Sequence, residues 1–256
     1  MVILGLVEGV ADILPIDATG HSLLLARLVG WRAGTIGVSI HLGAALALLT
    51  YLWREVGLIG SGLWKLRRLR IEPGSRLLGL ALLTAAPWIV ANGLIGTQVP
   101  QLTDLAWVGG ITILCAALMG IADRLCMTVR RIEHMSPAGA LLLGLVQLLA
   151  LVPGVGRVAA AVTMGRLLGL ERPAAYRFIL LSSVPALLAA GGKSGVSYFL
   201  QGLRPTGTDI LTCGITFALV LLAVSIAMSW VRRVGLQPFT FYRLLVGVLM
   251  VTLAVL

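Results

Sequence analysis

Six stretches of this chain are apolar over close to the roughly 20 residues that a helix needs to cross a bilayer: Ile36 to Trp53, Leu77 to Ile95, Leu105 to Ile121, Ala174 to Ala190, Ile210 to Trp230, and Phe241 to Leu256. Of the 256 residues, 59% are hydrophobic and 12% charged, with a mean hydropathy of +1.01. That leaves too little polar surface for a water-soluble globule. The fold expected is an all-α polytopic membrane protein. The net charge of +10 does not mark a nucleic-acid partner, because the basic residues gather between apolar segments instead of lining a polar face with stacking aromatics. Cys115, Cys126 and Cys213 are scattered, without the spacing of a metal site or disulfide framework. No basic segment precedes the first apolar stretch and no small-residue cleavage site follows it, so the segment from Met1 is expected in the mature structure.

Two further apolar stretches are interrupted. Met1 to Gly30 is broken by Pro15, and Pro137 to Gly169 by Pro153-Gly154. Each half is about 12 residues, too short to cross but long enough for a helix that enters and turns back. Both are read as re-entrant helical hairpins, and their openings match: Gly5-Leu6-Val7-Glu8 in one, Gly144-Leu145-Val146-Gln147 in the other. The loop from Arg54 to Arg76 carries six basic residues, that after the third span carries Arg124, Arg130 and Arg131, and that after the fifth carries Arg232 and Arg233. The other loops hold little beyond Lys193 and Arg204. By the positive-inside rule the basic loops are cytoplasmic, facing anionic lipid, and both termini lie outside. The hairpins then open to opposite faces. This predicts a single transmembrane domain over 1–256 built from inverted-topology repeats at about 1–123 and 137–256, with a cavity between Pro15 and Pro153 near the midplane.

Ionisable residues at membrane depth are costly and usually functional. Glu8 and Asp12 stand four apart, on one face of a helix, where two like charges need a cation or a shared proton; the alternative is a polar seam between helices. Asp17, Thr19, Gly20 and His21 follow Pro15. A histidine beside carboxylates can exchange a proton near neutral pH, while a lone buried histidine is more often only hydrogen-bonded. In Val152-Pro153-Gly154-Val155-Gly156-Arg157 a glycine turn precedes an arginine at a helix start. Free amides at Gly154 and Gly156, together with the guanidinium, suit a phosphate group; the alternative is an arginine snorkelling to the interface.

The run Glu8-Gly-Val-Ala-Asp12-Ile-Leu-Pro15-Ile-Asp17-Ala18-Thr19-Gly20-His21 resembles the first signature of the undecaprenyl diphosphate phosphatase family of bacitracin-resistance membrane phosphatases, E-x-x-x-E followed by P-x-S-S-T-G-H. Pro153-Gly154-Val155-Gly156-Arg157 resembles the second, P-G-x-S-R-S-x-x-T. Ile40-His41-Leu42-Gly43 and Trp53-Arg54 also resemble the family, which commonly has glutamine where His41 stands. The resemblance runs from Met1 to Leu256. It implies six transmembrane helices plus two re-entrant hairpins in the bacterial inner (cytoplasmic) membrane, and hydrolysis of a polyprenyl diphosphate lipid at the outer face to recycle the cell-wall carrier. It further implies a divalent cation, magnesium or calcium, at Glu8 and Asp12, which hold metal or handle protons. His21 becomes acid, base or nucleophile, Arg157 the phosphate clamp, and Thr19 an orienting group. A homodimer is among the assemblies left open.

The chain departs from both signatures. The serine positions are Asp17 and Ala18 in the first and Gly156 and Val158 in the second, and the threonine position is Ala161. Asp17 adds a carboxylate that would repel phosphate unless bridged or protonated, and it could act as nucleophile or as metal ligand. Two functions follow. One is a divergent diphosphatase using Glu8, Asp12, Asp17, His21 and Arg157; the other is a non-hydrolytic transporter or flippase of polyprenyl phosphate using the same cavity. An inert scaffold would leave the charged hairpins unexplained.

Overall fold

A computed structural model describes residues 2–30, 37–66, 72–94, 104–126 and 130–256. Eleven α-helices are found among them, and no strand. The first hairpin is α1 (Val2–Ala11) and α2 (Ala18–Val29), joined by a turn that contains Pro15. α3 (Val38–Tyr51), α4 (Trp53–Leu66), α5 (Pro73–Leu94) and α6 (Leu105–Leu125) complete the first half. The second hairpin is α7 (Pro137–Gln147), a 3-10 turn over Leu148–Leu151, and α8 (Arg157–Leu167). α9 (Arg172–Leu200), α10 (Gly207–Arg233) and α11 (Gln237–Val255) follow.

Five described helices, α5, α6, α9, α10 and α11, are long and apolar enough to cross a membrane. The stretch expected as the first span is bent: α3 has 14 residues and the chain then turns by 84° into α4, and the two together are long and apolar enough to count as a sixth, broken span. The reason lies in the sequence: Trp53-Arg54-Glu55 brings charge where the apolar run ends, so the helix cannot continue into hydrocarbon. α4 carries Trp53 and Trp64 exposed, with Arg54 over the Trp53 ring, as suits a helix lying at an interface. Part of the expected basic loop is therefore helical, while Arg67, Arg68 and Arg70 lie outside the described residues.

α9 is the central helix. Two thirds of its apolar window is buried, against about a third or less for the other four, which leave most of their apolar surface outward for lipid. Around α9 pack α3, α5 and α8, while α6 pairs with α11 and α3 with α10. Glycines allow close crossings: a Cβ on Gly109 would meet the Gly247 carbonyl at 2.7 Å, and one on Gly144 the Thr84 carbonyl at 2.6 Å.

The hairpin breaks expose carbonyls that a regular helix would use, and buried side chains from distant helices satisfy them. Tyr176 of α9 donates to the Ile13 carbonyl (3.2 Å). Arg243 of α11 donates to the carbonyls of Gly154 (2.7 Å) and Val155 (2.9 Å). Each break is held by a span of the second half of the chain.

Candidate active site

The two breaks meet. Gly156, with φ of +75°, lies so close to the Ile16 carbonyl that a Cβ there would overlap it, and Gly154, with φ of +98°, approaches the Val108 carbonyl of α6. Glycine is required at both points for conformation and for space. Beside this junction is a cavity of about 250 Å³. Glu8, Asp12, Asp17, Ala18, Thr19, Pro153 and Arg157 face it from the hairpins, with His41 from α3, Trp88 and Asn92 from α5, and Ala186, Leu187 and Ala190 from α9.

Asp12 falls one residue past α1, and its N–H still donates to the Glu8 carbonyl (2.9 Å), so the two acids stand one turn apart. Arg157 is the first residue of α8 and its side chain is buried. Its Nε donates to Asp12 Oδ1 (3.3 Å) and its Nη2 to Asp12 Oδ2 (2.9 Å), a fork on one carboxylate. Nη1 donates to Gln147 Oε1 (3.3 Å) and Ser183 Oγ (3.1 Å), and the guanidinium carbon lies 5.9 Å from the centre of the Trp88 ring. Four of the five N–H donors are thus engaged, leaving one on Nη2.

Asp17 is buried and caps α2: one oxygen accepts from Gly20 N–H (2.7 Å) and, across the junction, from Gly154 N–H (2.7 Å). The Gly154 amide, expected to be free for phosphate, is therefore occupied by the chain's own carboxylate. Gly156 faces the Ile16 backbone and is absent from the cavity wall.

His21 also lies away from the cavity. Its Nδ1–H donates to the Asp17 carbonyl, and Nε2 accepts from the Tyr242 hydroxyl of α11 at 2.8 Å, with the two rings stacked 5.5 Å apart. The cause is helical phase: Thr19 and His21 are two residues apart, about 200° around α2, so they cannot face one space. The Asp17 cap fixes that phase with Ala18 and Thr19 toward the cavity.

Along the whole chain, the sequence profile of the bacitracin resistance protein BacA matches residues 1–249. This chain belongs to the BacA family. Among its relatives, undecaprenyl-diphosphatase 1 of Rhodospirillum rubrum is 37% identical, over 99% of this chain and 94% of the relative. Undecaprenyl-diphosphatase 1 of Paramagnetospirillum magneticum is 35% identical, over 97% and 94%. The undecaprenyl-diphosphatase of Alteromonas mediterranea is 31% identical, over 96% and 95%.

In this BacA-family chain several residues of the site escape a reading of the two signatures. Gln147 and Ser183 brace Arg157, Trp88 lies against it, and Asn92 and His41 complete the wall. The only advance signal is chemical: Asn92, Gln147 and Ser183 are polar groups inside apolar runs.

The donor set also bears on a cation. Three carboxylates face one guanidinium across the cavity, and Asp17 alone is compensated by amides. Among the described residues no group of three His, Cys, Asp or Glu could hold a metal by itself. Glu8 and Asp12, one turn apart in the wall, are the acids that a cation entering the cavity would meet, with substrate oxygens and water completing its shell.

Proposed function

We propose that this multi-pass membrane protein is an undecaprenyl diphosphate phosphatase, which hydrolyses the lipid diphosphate to monophosphate and orthophosphate and so returns the carrier lipid to peptidoglycan synthesis. The observation that carries this reading is the Arg157 fork on Asp12 at the meeting point of the two hairpin breaks, inside a cavity shared with Glu8 and Thr19. Phosphoryl transfer asks little covalent chemistry of a protein. It asks for positioning and for neutralisation of charge on the phosphoryl oxygens.

Arg157 is held at three corners, so its remaining donor is fixed in direction before a phosphate arrives. A diphosphate reaching the fork competes with Asp12 for the same N–H groups, which transfers the guanidinium charge to the substrate as it seats. Thr19 can donate its hydroxyl to a phosphoryl oxygen. Glu8 and Asp12 would hold a divalent cation, magnesium or calcium, which when bound neutralises phosphate charge and polarises phosphoryl oxygens. The apolar wall of Ala186, Leu187 and Ala190 suits the first carbons of the lipid.

The cavity is proposed to open to the outer face of the bacterial cytoplasmic membrane, with both termini on that side. Cavity residues sit toward one end of their helices: His41 near the start of α3, Trp88 and Asn92 near the end of α5, and Ala190 in the later half of α9. Arg54, Arg76 and Arg172 mark the opposite ends. Basic residues favour the cytoplasmic side and its anionic lipid. The inverted repeat has support in the packing partners. α3 against α10 has its mate in α9 against α5, α1 against α10 has its mate in α7 against α5, and α3–α9 and α6–α11 pair equivalent helices.

The test is orthophosphate release from a short-chain polyprenyl diphosphate by the purified protein in detergent, with magnesium, with calcium and with chelator. Release is expected with a cation present and a large loss in Glu8→Gln. Wild-type protein that releases no phosphate under any of these conditions would overturn the assignment.

A further inference from the structure

One side-chain amide in the cavity wall makes no hydrogen bond among the described residues. It belongs to Asn92, half-buried near the end of α5. Gln147, the amide that braces Arg157, shows what a structural carboxamide does in this protein. Its Nε2 donates to the carbonyls of Thr84 (3.3 Å) and Leu143 (3.4 Å), and its Oε1 accepts from Arg157. A carboxamide in a spanning helix with neither end bonded to protein is costly unless water or a ligand answers it.

The phase of α5 sets where this amide stands. Thr84, Trp88 and Asn92 follow one another at four-residue spacing, so they share one face of the helix. Thr84 fixes that face against the second hairpin: its hydroxyl donates to the Ala140 carbonyl (2.9 Å), and its own carbonyl accepts from Gln147. Gly144 lets the two helices close there, since a Cβ on it would come within 3.0 Å of the Pro87 ring. One turn on, Trp88 lies beside the Arg157 guanidinium. Asn92 is a further turn along, about 6 Å in rise from Trp88, and still lines the cavity. Beyond the place where Arg157 takes a phosphate, the wall therefore offers a neutral group with two N–H donors. A single phosphate fills only one of these positions, whereas two linked phosphates reach both.

Resting on the diphosphatase reading above, we propose that Asn92 binds the second, lipid-bearing phosphate, so that the cavity selects a diphosphate over a monophosphate. The terminal phosphoryl group seats at Arg157 and Thr19. The carboxamide of Asn92 then donates to non-bridging oxygens of the phosphate that carries the lipid. A neutral amide answers those oxygens without adding a second cation that would retain the monophosphate after hydrolysis. Selectivity comes from the difference between the two ligands at this one residue.

The experiment measures the binding of two short-chain polyprenyl ligands that cannot be turned over, the methylene-bisphosphonate and the monophosphate of the same chain. Wild type, Asn92→Leu and Asn92→Asp are compared in detergent with the cation that supports the wild type, beside phosphate release from the diphosphate. Leucine keeps the volume and removes the donors; aspartate keeps the shape and puts a carboxylate in their place. Wild type is expected to prefer the bisphosphonate. In Asn92→Leu the Kd of the bisphosphonate is expected to rise about 10- to 100-fold while that of the monophosphate stays within about 3-fold. Asn92→Asp is expected to weaken the bisphosphonate further, because like charges then face each other. A role in packing alone would rank the isosteric aspartate nearest to wild type and would move both ligands together. A wild type without preference for the bisphosphonate, an Asn92→Leu variant that keeps the preference, or an Asn92→Asp variant that binds like wild type overturns the inference; should the leucine variant not fold, the aspartate variant decides alone. A wild type that releases no phosphate removes the diphosphatase reading itself, whereas an active wild type beside variants of equal affinity removes only the role of Asn92.

Discussion

At the scale of single residues, the site is organised by how completely each polar group is used. Arg157 spends four donors on Asp12, Gln147 and Ser183 and keeps one. Lysine at that position keeps the charge but loses the planar fork, so Arg157→Lys is expected to lower kcat/KM about 100- to 1,000-fold, read as phosphate release at subsaturating lipid. A variant within a few-fold of wild type would mean that charge alone suffices. Asp17 illustrates the reverse case, a carboxylate so well bonded by Gly20 and Gly154 amides that it serves as a joint between hairpins. In a position where the signature it resembles has a hydroxyl, the chain places a carboxylate that takes up the Gly154 amide. Part of this was legible in advance: Glu8, Asp12, Asp17, Thr19 and Arg157 all reach the cavity wall, because acids and an arginine in apolar runs have few other places to go. His21 faces away from the cavity for a local reason, and His41 enters its wall for a distant one. The phase of α2 depends on where its cap falls, and the approach of α3 depends on contacts with α9 and α10 that no short motif records.

At the scale of elements, the interrupted apolar runs were the readable part. A proline near the middle of an apolar stretch, with polar residues around it, marks a helix that stops inside the protein, and both hairpins form. The bend after Tyr51 was less readable, since the hydropathy of Val38 to Trp53 resembles that of a span and only the charges that follow turn the chain aside. Nor could a linear reading pair Tyr176 with the Ile13 carbonyl or Arg243 with those of Gly154 and Val155, because such contacts exist only after the spans have packed. The second turn is where the two hairpins touch. Gly156→Ala places a Cβ against the Ile16 carbonyl and puts an L side chain at a φ of +75°. The backbone effect alone is about 1 to 2 kcal/mol, and the overlap forces the hairpins apart. A lower thermal midpoint in detergent, together with reduced phosphate release, is expected; unchanged values for both would show that the junction tolerates separation.

At the scale of the whole molecule, the proposed orientation rests on the basic residues. In a background with Cys115, Cys126 and Cys213 replaced, a cysteine at Arg204 is expected to react with a membrane-impermeant maleimide in intact cells, and one at Arg232 only after the membrane is opened. The opposite pattern would invert the proposed topology and place the cavity toward the cytoplasm. A last consequence concerns the order in which the protein is made. Asp17 is completed by the amide of Gly154, 137 residues later, and Asp12 by Arg157, 145 residues later. While the first half of the chain is inserted and the second is still being translated, Asp12 lacks its guanidinium and Asp17 has only the Gly20 amide. The site is therefore complete only once the second hairpin has packed against the first. A nascent chain arrested before residue 154 carries Asp12 and Asp17 without the partners that the second hairpin supplies.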